Sequence, residues 1–200
     1  MLTATRNFLA RHPGYFAVLR KIIELGFKRQ KAIIKKSLGA AQGLKVLDIG
    51  CGTGEFFSCF DSAGYIGIDI FAAYIAYAQR KNQGNFQVMD ATSIQFPDNS
   101  FDFILIMAIL HHLDDNAAKK VVREAVRLLR PAGKILIMED ARIPRLENFL
   151  TRFIQRYDKG AYIRSPEDYR KIIDGFVRLE WEKEFRNGSC LYYAMLLKKK

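Results

Sequence analysis

Short apolar runs alternate with amphipathic stretches along residues 44–140 of this 200-residue chain. The apolar runs predict strands over 44–49, 65–69, 86–90, 101–107 and 134–139, and the stretches between them predict helices over 55–62, 72–81 and 116–130. The run at 101–107 is apolar, as expected of a central strand that is buried on both faces. Strands that alternate with helices predict a parallel sheet with helices on both faces.

The alternation of strands and helices changes before and after the predicted strand 134–139. Pro131-Ala-Gly133 is predicted to stop the preceding helix, and a basic, aromatic segment follows residue 140. Ser165 and Pro166 then predict the start of another helix. Beyond it, Asn187-Gly188 is a strong turn signal for an antiparallel hairpin. The strands of that hairpin are predicted over 177–185 and 191–197, with 198–200 as a solvated tail.

Residues 1–40 carry an unusual share of the positive charge. They hold nine Lys and Arg residues against one acid, Glu24, and so contribute eight of the eleven surplus charges. Helical spacing is predicted to place a set of apolar residues on one face and most of the cations on the other. The apolar set is Phe16, Leu19, Ile22, Ile23, Phe27, Ile33, Ile34 and Leu38. Gly26 is expected to break this segment into two helices.

Two interpretations of the basic segment stay open. It packs on its own domain with a solvated basic face, or it forms a lid over the substrate that also meets an anionic membrane surface or an acidic substrate. The basic residues lack interleaved aromatic side chains, which disfavours a nucleic-acid partner.

The composition, with 50% hydrophobic and 26% charged residues, is typical of one globular domain. The longest apolar run, 103–110, is too short to span a bilayer. The three cysteines have neither metal-ligand spacing nor a disulfide framework, so no metal is predicted and a reducing cytoplasm is the default location.

The candidate chemistry begins at 46–54, where Val-Leu-Asp-Ile runs into Gly-Cys-Gly-Thr-Gly. Glycines there let backbone N–H groups, with a helix N-terminus behind them, approach a ligand closely. A dinucleotide site requires a glycine directly after Gly54, where this chain has Glu55. Asp48 would repel a pyrophosphate and suits an ammonium. Asp69 ends the next strand about 20 residues beyond the loop, where an acid accepts hydrogen bonds from ribose hydroxyls.

In this order the motifs resemble those of the class I S-adenosylmethionine (SAM)-dependent methyltransferases. The resemblance covers residues 40–198 and implies a Rossmann-like, seven-stranded, mostly parallel sheet in the order 3-2-1-4-5-7-6. It implies SAM as the cofactor and S-adenosylhomocysteine as the product. It divides the chain into a helical lid, 1–40, and a SAM-binding domain, 41–200, with 141–165 as an insert on the substrate side.

The cofactor residues that the resemblance implies follow the strand ends. Asp90-Ala91 match the position that meets the adenine, and the backbone near Met107 matches the position along the methionine part. Cys51 is interpreted as a small residue of the turn rather than a nucleophile. The whole expected set is Asp48, Gly50, Cys51, Gly52, Gly54, Asp69, Ile70, Asp90, Ala91 and Met107.

His111 and His112 lie just past the fourth strand and are the candidate catalytic residues. His111 is favoured as a general base for an acceptor that must lose a proton, and the alternative is that both histidines have structural roles. The residues 129–134 resemble the family's Leu-x-Pro-Gly-Gly turn, with Ala132 in place of one glycine.

The expected acceptor is a small molecule or a lipid-linked compound that is methylated on oxygen or carbon. The family members most similar in style act in quinone, lipid and natural-product metabolism, and the clustered cations favour an acidic acceptor. The absence of an Asn/Asp-Pro-Pro-Tyr motif argues against methylation of DNA bases. A non-catalytic scaffold with a SAM-type fold stays the alternative function, and weak contact with the inner membrane surface stays an alternative to a purely cytoplasmic location.

Overall fold

The computed structural model of the protein describes residues 13–40, 42–146 and 161–200. The strands are β1 (Val46–Ile49), β2 (Tyr65–Asp69), β3 (Asn85–Val88), β4 (Phe101–Met107), β5 (Leu129–Asp140), β6 (Val177–Asn187) and β7 (Cys190–Lys199). The helices are α1 (Pro13–Ile23), α2 (Lys28–Leu38), α3 (Ala72–Lys81), α4 (Asp115–Leu128) and α5 (Pro166–Ile173). Single 3-10 turns lie at Leu25–Phe27, Phe57–Cys59, Ser62–Gly64, Leu110–His112 and Pro144–Leu146. The expectations for 1–12 and for most of the insert lie outside the described residues.

The seven strands form one sheet in the order β3-β2-β1-β4-β5-β7-β6, which confirms the predicted topology. The first five strands are parallel, and β7 runs antiparallel to both β5 and β6. In the centre, Ile49 pairs with Ile68 on one side and Ile106 on the other. The strand order reverses between β1 and β4, so a crevice opens at the carboxyl ends of these two strands.

Alternating strand side chains divide the core into two layers. Leu47 and Ile49 point to the layer covered by α4 and α5, while Val46 points to the layer covered by α2 and α3. The same alternation continues along β4 and along β5 after Lys134, where most residues are buried on both faces. These stretches are consequently apolar almost throughout, up to the acids that end β5, as the sequence pattern predicts.

The helix predicted over 55–62 is wrong. Turns and the 3-10 turn at Phe57–Cys59 occupy this region instead. The physical reason is aromatic packing, because Phe56 meets Phe27 edge-on at 5.4 Å while Phe57 and Phe60 both pack on Tyr65.

Several predicted boundaries also move. Strand β3 ends at Val88 rather than residue 90. Strand β5 begins at Leu129, so Pro131-Ala-Gly133 lies within a register shift of the strand and does not separate it from α4. Strand β7 extends through Lys199, whose ammonium donates to the Leu129 carbonyl, so only Lys200 remains of the predicted tail.

The N-terminal helices break at Gly26 (φ 67°) as predicted, but the predicted apolar face is wrong in α1. Leu19 and Ile22 are 47% and 69% exposed, whereas Ala17 and Glu24 are buried. The reason is a polar contact with the C-terminal hairpin. The Glu24 carboxylate accepts hydrogen bonds from Arg20, Gln30 and Tyr192, and Asn187 donates to its backbone carbonyl.

Of the helices in the described ranges, none has both the length and the apolar character that crossing a bilayer requires.

We expect Gly50→Ala to lower the free energy of unfolding by about 2–4 kcal/mol, because two penalties add. Gly50 has a φ of 76°, and a Cβ there would lie 2.2 Å from Ile109 Cγ2. Gly43→Ala is the matched control, since Gly43 has a similar φ of 65° and no neighbour within 4 Å. Urea unfolding measures both variants. Equal losses would show that the close approach to Ile109 contributes nothing.

Candidate functional site

The glycine turn after β1 is tied to the end of β2. The backbone N–H groups of Gly50 and Cys51 both donate to the carbonyl of Ile68, at 2.8 and 3.0 Å. Gly50, Gly52 and Gly54 all have positive φ, as the motif predicts. A Cβ on Gly52 would meet nothing within 4 Å, so the backbone there faces open space. The turn therefore exposes backbone that no side chain covers. Within the described range 42–146, the regular helix that the sequence predicts after this turn does not form.

Asp48 is fully buried beneath this turn. Its Oδ2 accepts a hydrogen bond of 2.8 Å from the Tyr65 hydroxyl, while its Oδ1 has no partner. Burial raises the pKa of Asp48 to about 7, and the charge of Asp69 adds to this while the Tyr65 bond opposes it. A buried carboxylate oxygen without a donor is costly. This oxygen is consequently suited to a cationic group of a ligand.

Asp69 joins the glycine turn to the next loop. Its two carboxylate oxygens accept from the N–H groups of Gly52 (3.0 Å) and Phe71 (2.9 Å). Burial raises the pKa of Asp69, although these backbone bonds oppose the shift. A carboxylate has about four acceptor positions, so capacity for ligand hydroxyls remains. Ile70 follows with 61% of its side chain exposed.

The other predicted cofactor residues lie at the same edge of the sheet. Val88 pairs with Asp69, which places Asp90 and Ala91 just beyond that edge. The exposed Asp90 carboxylate accepts from the N–H and hydroxyl of Thr92, and these bonds lower its pKa. Met107, at the end of β4, is buried.

Cys51 is buried, and burial raises the pKa of its thiol well above the usual value. A thiol held protonated is a poor nucleophile. This supports the interpretation of Cys51 as a small structural residue of the turn.

His111 is buried and lies between two carboxylates at the end of β5. Its Nδ1 is 2.8 Å from Glu139 Oε2, and its Nε2 is 3.8 Å from Asp140 Oδ2. Glu139 also accepts from the backbone N–H groups of Ile109, Leu110 and His111. Because Glu139 accepts from three backbone N–H groups, we assign the ring proton to Nδ1 as a further donor to it, and Nε2 is then the basic ring nitrogen.

The backbone turn at Ala108 makes this arrangement possible. Ala108 has a φ of 55°, which a residue with a Cβ rarely adopts. Its N–H still pairs with the Met138 carbonyl at 2.9 Å, and directly afterwards the N–H groups of three successive residues converge on Glu139. His112, in contrast, is exposed, and its ring centroid lies 4.0 Å from that of His111.

Arg164 fixes the same segment from the other side. Its buried guanidinium donates to the carbonyls of Leu110, Leu113 and Tyr162 and to the Asp115 carboxylate, at 2.7–3.1 Å. The N–H of Tyr162 also donates to the His111 carbonyl. The end of the segment 141–165 thus packs against the 3-10 turn Leu110–His112.

Glu139, Asp140 and Arg164 also belong to this site and were not predicted from the sequence. The two acids had a usable signal, because an apolar strand that ends in an acid is also the pattern of Asp48 and Asp69. Arg164 had no such signal, since its role depends on carbonyls that are 51 and 54 residues away in the chain.

A family profile described as a methyltransferase domain matches residues 47–137. The chain is 30% identical over 193 residues to the ubiquinone/menaquinone biosynthesis C-methyltransferase UbiE of Shewanella woodyi, covering 88% of this chain and 76% of that protein. It is 34% identical over 129 residues to phosphoethanolamine N-methyltransferase 1 of Arabidopsis thaliana, covering 60% of this chain. The match spans only 26% of that relative.

Among solved structures, magnesium protoporphyrin IX methyltransferase (ChlM) from Synechocystis, with bound S-adenosylhomocysteine, superposes with a TM-score of 0.75. The alignment covers 99% of both chains at 18% sequence identity. This likeness supports the fold of the described sheet.

We expect Glu139→Gln to destabilise the protein by about 1–3 kcal/mol for each buried donor left without an acceptor. The glutamine amide offers one acceptor oxygen where the carboxylate offers two. Amide hydrogen exchange of residues 109–111 should accelerate together with a lower free energy of unfolding. Glu167→Gln, at an exposed position, is the control and should stay within about 0.5 kcal/mol. Unchanged exchange at 109–111 would mean that Glu139 does not hold this turn.

Proposed function

Since the chain belongs to the class I SAM-dependent methyltransferase family, we propose that it transfers a methyl group from SAM to a small-molecule acceptor. The acceptor is acidic or lipid-linked and is methylated on oxygen or carbon. Residues 1–40 act as a lid and 141–165 as an insert that shapes the acceptor pocket of the domain 41–200.

The unpartnered oxygen of Asp48 is the observation that carries this proposal. Asp48 lies in β1 directly before the glycine turn, and a Cβ on Gly52 in that turn would meet no atom within 4 Å. The ammonium of a bound methionine group would supply the missing donor. Asp69, which already orients the turn through Gly52, would accept from the ribose hydroxyls, with Ile70, Asp90 and Ala91 around the adenine.

When bound, SAM supplies a methyl group that its sulfonium already activates for transfer. The protein therefore mainly aligns the donor with the acceptor, which can lower a barrier by roughly 7–11 kcal/mol. Where the acceptor must lose a proton, His111 takes it at Nε2. Glu139 holds Nδ1 and Asp140 faces the ring, so both carboxylates stabilise the imidazolium that results.

The positive charge of the N-terminal segment supports an acidic acceptor. Arg20 lies near the carboxyl edge of the sheet, because its partner Glu24 also accepts from Tyr192, which pairs with Asp140 at the end of β5. One similar protein is named for phosphoethanolamine and another for quinone biosynthesis. Both names also fit an acidic or lipid-linked acceptor.

A non-catalytic scaffold is the alternative, and the location of the histidines alone does not exclude it. A mass-spectrometric screen for methylated products, with purified protein, SAM and a panel of acidic and lipid-linked acceptors, separates the two. A methylated product supports the enzyme. SAM binding without a product across the panel would favour the scaffold.

We expect SAM affinity to rise as the pH increases from about 6 to about 8. Below its pKa of about 7, Asp48 is protonated and cannot pair with an ammonium. Isothermal titration calorimetry measures this dependence, with NAD as the competing ligand class. Absence of SAM binding, or tight binding of NAD instead, would overturn the assignment of the site.

Asp48→Asn is the matched variant for that titration. It should lose most of the affinity for SAM and most of its pH dependence, because an amide does not ionise. Burial holds the pKa of Asp48 above its unfolded value, so ionisation destabilises the ligand-free fold as the pH rises from about 4 through 7. The variant should consequently have a higher melting temperature than the wild type at pH 8. Unchanged SAM affinity would place the ammonium elsewhere.

We expect His111→Asn to reduce turnover about 10²–10⁴-fold on an acceptor that must lose a proton, with SAM affinity unchanged. An asparagine amide can still donate to Glu139 from near the position of Nδ1, but it removes the base at Nε2. His112→Asn is the control and should change turnover by only a few fold. Equal turnover of the wild type and His111→Asn would assign His111 a structural role.

A further inference from the structure

Helix α1 presents apolar side chains to solvent along one stripe. Val18, Leu19 and Ile22 are 58%, 47% and 69% exposed, and Leu25, just after the helix, is 61% exposed. Helical spacing places Val18, Leu19 and Ile22 on one side of α1, and Leu25 follows in the 3-10 turn directly after the helix. Adjacent exposed side chains of this size usually mark a surface for an apolar partner.

The opposite side of α1 explains why this stripe cannot turn inward. Ala17 and Glu24 are buried, and Arg20 pairs with Glu24 at 2.7 Å. A rotation that buried the leucine and isoleucine side chains would expose the bonds of Glu24 to Gln30 and Tyr192. The polar network therefore fixes the apolar stripe on the outside.

The exposed charges of the segment that carries the stripe have one sign. Residues 13–40 contain seven Lys and Arg residues and a single acid, Glu24, which is buried in its ion pair. Lys21, Lys28, Lys35 and Lys36 are exposed. The accessible charge of the segment is consequently positive, which complements a negative surface.

From these observations we propose that α1 docks on an anionic lipid bilayer, with the stripe Val18, Leu19, Ile22 and Leu25 inserted among the headgroups. Exposed lysines attract the bilayer, and the apolar side chains then leave water. Two copies of the chain, each with a net charge of +11, would repel each other at this face, which disfavours a dimer as the occupant.

The placement of α1 gives this contact a consequence for the candidate site. The helix contacts α3, and Arg20 on its inner side donates to Glu24, which accepts from Tyr192, the residue paired with Asp140 at the carboxyl end of β5. A bilayer that receives the outer side of α1 would therefore lie next to the crevice, where a lipid-linked acceptor has a short path to the site. The docking itself does not depend on the proposed methyl transfer.

Vesicle co-sedimentation of the full chain tests the proposal, with phosphatidylglycerol–phosphatidylcholine vesicles against vesicles of phosphatidylcholine alone. We expect binding to the anionic vesicles, weakened by high salt but not abolished, because salt screens the lysines and leaves the apolar contact. Val18→Asn/Ile22→Asn should weaken this binding about tenfold or more. Lys21→Gln/Lys28→Gln should weaken it at low salt and have little effect at high salt.

Two matched controls keep the outcome specific. Leu179→Asn changes an exposed leucine on β6, and Lys183→Gln changes an exposed lysine there, so both should bind as the wild type does. Calorimetric SAM binding, run on every variant, separates a folding or cofactor defect from a loss of docking. Equal sedimentation of the wild type and Val18→Asn/Ile22→Asn would overturn the proposal. So would a wild-type dimer in analytical ultracentrifugation that this variant abolishes without any vesicle binding.

Discussion

A parallel strand that ends leaves the N–H groups of the following turn without ladder partners, and here strand-end carboxylates accept them. Glu139 takes three successive N–H groups after β4, and Asp69 takes those of Gly52 and Phe71. Glu139 lies on β5, the neighbour of β4, whereas Asp69 holds both the turn after its neighbour β1 and the turn after its own strand β2. The shape of the crevice therefore depends on carboxylates at the ends of β2 and β5.

Asp48 departs from this arrangement. One of its oxygens has the Tyr65 hydroxyl, and the other is buried without a donor. The fold therefore carries a cost at the position where the proposed ligand would bring a positive charge. A site that is less stable when empty gains more from its ligand, since binding restores the missing partner.

The sheet was predictable because its strands have a strong period and clear ends. The apolar run of β4 and the acid at the end of β2 identify buried parallel strands, and Asn187-Gly188 identifies the hairpin. The region 55–62 was not predictable in this way, because contacts of Phe56, Phe57 and Phe60 with distant rings override its helical pattern. The period of apolar residues reflects the local preference for a helix, whereas tertiary contacts decide where those rings lie.

The same limit applies to the site. Its cofactor half follows a local motif, so Asp48, the glycines and Asp69 could be named from the sequence. Its histidine half depends on Glu139 and Arg164, which lie 28 and 53 positions from His111 along the chain. The face of α1 could not be predicted either, because an amphipathic pattern does not reveal that Glu24 finds its partners on the C-terminal hairpin.

The contact between Glu24 and the C-terminal hairpin also determines when α1 can dock during translation. Glu24 bonds to Asn187 and Tyr192, which are 163 and 168 residues further along the chain. Because translation proceeds from the N-terminal side, Glu24 is made 163 residues before Asn187, and α1 cannot dock in its final position until the hairpin has been made. During that interval α1, which bears the stripe of Val18, Leu19 and Ile22, is not packed against the hairpin. A chaperone that recognises apolar side chains could bind this stripe while the hairpin has not yet been made.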